Sequence, residues 1–253
     1  MKKYGFTITE MIVALGIIGV VASLTLPNFI SQGINDAYAK KLATTVSTLE
    51  TAFTSMMATE GVQTMSETEF IDNPHTYTES TNEITGDKET TTNEYENSKN
   101  IFAKYIKMHT ASNEYEDFYG NITHKTISGS NIPFSADVFF QLKNGAIVSM
   151  TINNANINDD KVTNNNLTFN KIVAAPVIID INGSDAPNIW GRDAFWFLLG
   201  DDGILYPYGG KIYKIVYDDI DTYDINDKFG CNDKVKSVGC TARLVENNYE
   251  VDY

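Results

Sequence analysis

The chain has 253 residues and a formal charge of −14. That balance excludes a broad nucleic-acid-binding surface, because phosphate recognition needs clustered Lys and Arg, and it suits a head domain kept soluble by like-charge repulsion. The length allows one ordinary globular domain beyond an anchor.

The chain opens Met1-Lys2-Lys3-Tyr4-Gly5, continues Phe6-Thr7-Ile8-Thr9-Glu10, and carries no further charge until Asp36. Met11 to Leu26 is strongly apolar. With its flanks, the segment 6–30 is long enough to cross a bilayer, which takes about 20 apolar residues. Lys2 and Lys3 place the N-terminus on the cytoplasmic side by the positive-inside rule. A lone carboxylate at the mouth of such a helix is costly in a membrane, so Glu10 needs a reason. The competing reading is an ordinary secretory signal peptide, with Val20 and Ala22 at the small-residue positions of a cut before Ser23. Glu10 argues against it, and the apolar pattern continues past that cut without a break.

Gly5 followed by Phe6, Glu10 fifth after that junction and Pro27 twenty-second after it together resemble the class III signal of type IV pilins and type II secretion pseudopilins. The resemblance covers roughly the first 55 residues. It implies a leader, residues 1–5, removed after Gly5 by a prepilin peptidase, and N-methylation of Phe6. It implies that Glu10 pairs with the N-terminal amine of a neighbouring subunit, or of its own, and sets axial register. The implied partners are other pilin or pseudopilin subunits, the inner-membrane assembly machinery and the membrane itself. The implied location is the bacterial cytoplasmic membrane, single-pass with the head outside, and then a pilus or pseudopilus.

Leu42, Val46, Leu49, Phe53 and Met56 follow at spacings of 4, 3, 4 and 3, one face of an α-helix. A helix is therefore expected from about Thr7 to Thr59, with Pro27 and Gly33 as places to kink and Gly61 as its stop. Residues 31–60 form its amphipathic half. The stripe lasts little more than two heptads, which favours packing on a head over a free coiled coil. Residues 66–97 read as a polar, exposed insertion, since 76–97 is dominated by Thr, Glu and Asn and cannot bury enough surface to order itself alone. Ile101, Phe102, Tyr105 and Ile106 suggest a short amphipathic helix. The head spans 98–253.

Asp137 to Leu142 and Ala146 to Ile152 flank Lys143-Asn144-Gly145, a hairpin signal. A polar, Asn-rich loop is expected over 153–170. Lys171 to Ile181 reads as a strand, with Pro176 pointing to an edge or an irregularity. Phe195 to Leu199 and Ile204 to Tyr206 flank a Gly-Asp-Asp-Gly turn, and Ile212 to Tyr217 suggests another strand. The fold class is α+β: a long N-terminal helix packed on a mainly antiparallel sheet, the plan that the pilin resemblance also implies.

Two sites stand out in the head. Asp180, Asn182 and Asp193 place oxygen-bearing side chains around Gly183, a pattern suited to Ca2+. The fit to an EF-hand is poor, because Gly183 is early and Gly191 stands where the bidentate Glu belongs. The alternative is a turn whose Asp and Asn side chains cap backbone groups; no other cofactor is expected. Cys231 and Cys240 enclose eight residues, and outside the cytoplasm a disulfide is the leading reading. His75, His109 and His124 share no metal-like spacing and read as surface or loop residues. No Gly-x-Ser-x-Gly, Walker loop or His-Glu-x-x-His occurs, and no enzyme activity is expected. The reading is a structural filament subunit; a minor pilin or tip adhesin, and a secreted enzyme with a conventional signal, are the alternatives.

Overall fold

The computed structural model describes residues 7–81, 88–132, 135–152, 161–164, 167–170, 173–208, 231 and 239–251. The chain divides into two compact units, 1–37 and 38–253. Helix α1 (Ile8–Glu60) supplies the described part of the first unit and opens the second. It runs unbroken past residues 27 and 33.

In the second unit the predicted stripe is the core. Leu42, Leu49, Phe53 and Met56 are fully buried and Val46 nearly so. On the opposite face the hydroxyls of Thr44, Thr48, Thr51, Ser55 and Thr59 donate to carbonyls four residues back. They satisfy themselves on their own helix, which lets a polar face form without partners. Gly61, at φ +71°, ends α1. Its amide and that of Val62 both reach the Met57 carbonyl, the closure that a left-handed residue permits.

The next segment departs from expectation. A 3-10 turn (Met65–Glu67) and α2 (Glu69–Asp72) fold into the core, with Met65, Phe70 and Ile71 fully buried. Three apolar side chains suffice because they land on aromatics already in place: Phe70 lies 6.2 Å from Phe53 and 5.9 Å from Phe102. Only then does the exposed polar part begin. Strands β1 (Thr76–Thr81) and β2 (Lys88–Asn93) pair antiparallel as a separate ribbon. The amphipathic helix follows as α3 (Glu96–Tyr105), burying Ile101 and Phe102.

After β3 (Met108–Ser112) and α4 (Glu116–Tyr119), both expected hairpin signals are realised. β4 (Val138–Leu142) turns into β5 (Ile147–Met150). The Asn-rich segment expected as loop holds a short pair, β6 (Lys161–Asn164) and β7 (Leu167–Asn170). Then come β8 (Val173–Asp180), β9 (Ala194–Gly200), β10 (Leu205–Pro207) and α5 (Cys240–Glu246). The main sheet is antiparallel with order β10-β9-β8-β5-β4-β3. The strand expected over 212–217 lies outside the described residues.

Sheet register decides which side chains meet the helix. Phe140, Val148, Ile179 and Phe195 stand opposite one another across four strands and join the α1 stripe in one cluster. Their chain neighbours Phe139, Ser149, Ile178 and Trp196 take the other face, as period-two alternation requires. Pro176 sits inside the sheet, not on an edge. Its carbonyl accepts from the Thr151 amide, just beyond the end of β5. The missing Pro N–H faces the Thr151 residue on that same side, so the return bond of this pair is the one the proline forgoes. The irregularity expected there does occur, as a register shift between Val173 and Ala175.

Close approach fixes the β9–β10 turn. A Cβ on Gly203 would meet Met57 Cε at 2.8 Å and Thr54 Cγ2 at 3.4 Å, and the residue has φ +80°. Opposite, Glu50 Oε1 on α1 accepts the Leu205 amide at 3.0 Å. Helix and hairpin are thus joined by both packing and a charge-assisted hydrogen bond.

Candidate functional site

The N-terminal candidate is built on a helix start. Thr7 N and Thr7 Oγ1 each donate to Glu10 Oε2 at 2.8 Å, and Glu10 N donates back to Thr7 Oγ1 at 3.2 Å. This is the reciprocal capping box of the Thr-x-x-Glu pattern, which satisfies amides that a helix start leaves open. Sequence reasoning missed this role of Glu10, although Thr7-Ile8-Thr9-Glu10 carries its signature. Beyond the cap, Ile8–Thr25 has mean hydropathy 2.1 and none of it is buried. Ile8, Ile12, Leu15, Ile18 and Leu24 are each more than 60% exposed. An apolar surface on all sides of a helix has no place in water; the helix is long and apolar enough to cross a membrane. Gly5 and Phe6 lie outside the described residues. Pro27 lies within the helical backbone of α1.

In the head, the structure gathers Asp180, Asn182 and Asp193 at the turn between β8 and β9. Asp180 Oδ1 accepts the amides of Asn182 and Gly183 at 3.2 and 2.9 Å. Asp193 accepts the Asn188 and Ile189 amides at 2.7 and 2.6 Å. The Asn182 amide group donates to the Asp185 and Ala186 carbonyls. These are the turn-capping bonds of the alternative reading. Among the described residues, no group of three or more His, Cys, Asp or Glu could hold a metal ion.

The second Asp180 oxygen shows that His124, a loop residue as expected, is not on the surface. His124 is 1% exposed and its Nε2 lies 2.9 Å from Asp180 Oδ2. The Tyr119 ring meets His124 edge-on, with centroids 5.0 Å apart. Tyr115 O–H donates to the Ile122 carbonyl at 2.8 Å, so the aromatic wall over His124 is itself anchored. Burial pushes the Asp180 carboxyl up, against the opposing pull of His124. Burial likewise pushes Asp193 up to about 6, with the Ile189 amide opposing. Lys41 of α1 donates to the Ile181 carbonyl at 2.6 Å; burial pushes its ammonium down while Asp180 pushes it back up. The partner of His124 is 56 positions away, so local pattern held no signal for it.

Cys231 and Cys240 form a disulfide, with Cα atoms 4.4 Å apart. It opens α5, whose Arg243 reaches the Cys231 carbonyl at 3.2 Å.

A capped apolar helix, long and apolar enough to cross a membrane, that continues into the core helix of an antiparallel α+β head is the pilin-like plan. Residues 1–26 match the prokaryotic N-terminal methylation motif, the class III prepilin-like signal of type IV pilins and pseudopilins. Comparison with curated proteins and with solved structures returned no match.

Proposed function

We propose that the chain is a structural subunit, pilin or pseudopilin, of a type IV pilus-like or type II secretion filament. The methylation motif over residues 1–26 carries this reading, and the unburied apolar helix supports it. A prepilin peptidase cuts after Gly5, and the new Phe6 amine is methylated. The protein waits in the cytoplasmic membrane with its N-terminus inside and its head outside. Assembly machinery then draws subunits from the membrane.

The physical logic rests on two kinds of contact. Lateral packing of the apolar helices replaces lipid contact with helix contact and supplies cohesion. Glu10 supplies register. Its charge costs about 2.5–3.5 kcal/mol at a bilayer centre, and a neighbouring Phe6 amine offsets that cost by forming an ion pair. Until then the Thr7 bonds hold the carboxylate at the helix mouth.

Blocking the cut tests this directly. Gly5→Leu should accumulate as uncut precursor in the membrane and leave filaments without the subunit. Normal incorporation of the uncut variant would overturn the reading.

A further inference from the structure

The β1–β2 ribbon is closed at its base by a bond that a proton can switch. His75 precedes β1 and Tyr95 lies two residues past the end of β2. The first rung of the ribbon pairs Thr76 with Asn93. One step outside that rung, Tyr95 N donates to His75 Nδ1 at 3.1 Å. The two rings pack at 4.8 Å between centroids. Tyr95 is held at φ 53°, ψ 14°, a left-handed conformation that a non-glycine residue adopts only under external constraint.

Three further bonds tie the same two segments. Asn97 N and Ser98 N donate to the Pro74 carbonyl at 3.1 and 3.2 Å, and Asn97 Nδ2 donates to the Asn73 carbonyl at 2.6 Å. Of these four bonds, only the one at His75 depends on a protonation state. A backbone N–H is an obligate donor, so His75 Nδ1 must be the bare nitrogen of a neutral imidazole. A proton on that nitrogen turns acceptor into donor, and two donors then face each other.

The Asp137 carboxyl, at the entry to β4, interacts electrostatically with Tyr95 and with His75. Glu94, between β2 and Tyr95, acts on Tyr95 and Asp137. On α3, Glu96 and Lys99 are paired with each other at 2.8 Å. The bond from the Tyr95 amide requires the neutral ring.

We propose that His75 is an acid-sensitive latch: its neutral ring, accepting from the Tyr95 amide, holds the base of the β1–β2 ribbon against α3, and protonation releases it. Histidine is the side chain whose ordinary titration falls in the mildly acidic range. The released state frees Tyr95 from its constrained conformation and lets the hydroxyl-rich ribbon change its pose on the head. The latch does not depend on the filament reading.

The test is hydrogen–deuterium exchange of the full chain in detergent at pH 5 and pH 7.5, corrected for the intrinsic exchange rate. In the wild type, peptides covering 76–98 should lose about fivefold in protection at pH 5, the change expected when one hydrogen bond is removed from a local opening equilibrium. His75→Gln offers an amide oxygen that does not titrate, and its protection should be the same at both pH values. His75→Phe offers no acceptor and should exchange fast at both. Equal corrected protection of the wild type at the two pH values would overturn the proposal. So would an acid response that survives in His75→Gln, a result independent of whether the Phe variant folds.

Discussion

His124 Nε2 and Asp180 Oδ2 meet at 2.9 Å with both side chains fully buried. The pair links the loop after α4 to the end of β8. Removing one member leaves the other buried without its partner, which costs about 3–5 kcal/mol. Asp180→Ala and His124→Ala should each lower the urea midpoint of the head accordingly. A loss below about 1 kcal/mol in both would show that the pair contributes little to the fold.

Asp193 gives the head a pH dependence of definite sign. Its carboxyl is pushed up to about 6 by burial, from an ordinary value of 3.8. The folded state therefore holds a proton that the unfolded chain has released. The stabilisation from this group is full below about 3.8 and is lost as pH rises through about 6. Asp193→Asn should flatten that part of the stability curve. Denaturation midpoints between pH 3.5 and 7 measure it, and an unchanged slope in the variant would assign the dependence to another group.

Glu50 and Leu205 test the joint between helix and hairpin. Glu50→Ala leaves the Leu205 amide without its acceptor, at a cost of about 1–3 kcal/mol. Glu50→Gln keeps an acceptor oxygen and should lose less than half as much. Equal losses would mean that charge, not the hydrogen bond, is what matters there.

The Cys231–Cys240 bridge closes a short loop. Chain entropy assigns it about 2–3 kcal/mol. Replacing both cysteines by alanine should lower the denaturation midpoint by that amount, and reductant should have no further effect on the variant.

Local pattern carried much of this architecture. The α1 stripe, α3 and both main hairpins follow from helical spacing, strand alternation and turn residues, each a property of neighbours in the chain. What the pattern missed depends on contacts distant in sequence. Residues 66–97 read as exposed, yet Phe70 and Ile71 fold into the core because Phe53 and Phe102, distant in sequence, lie beside Phe70. Pro176 read as an edge or an irregularity because sequence does not reveal that β9 and the Thr151 amide meet it on both sides. His124 looked isolated because Asp180 is supplied by another strand. At the candidate sites, Glu10 was legible as a costly carboxylate, while its bond to Thr7 emerged only with the helix start. Asp180, Asn182 and Asp193 were legible as a cluster, and their geometry shows how each spends its hydrogen bonds.

The mature N-terminus tests the central claim most directly. Intact-mass and N-terminal peptide mass spectrometry of the protein from its native cells should find a chain beginning at Phe6 with a methylated amine. A chain retaining Met1, or one beginning at Ser23, would contradict the account.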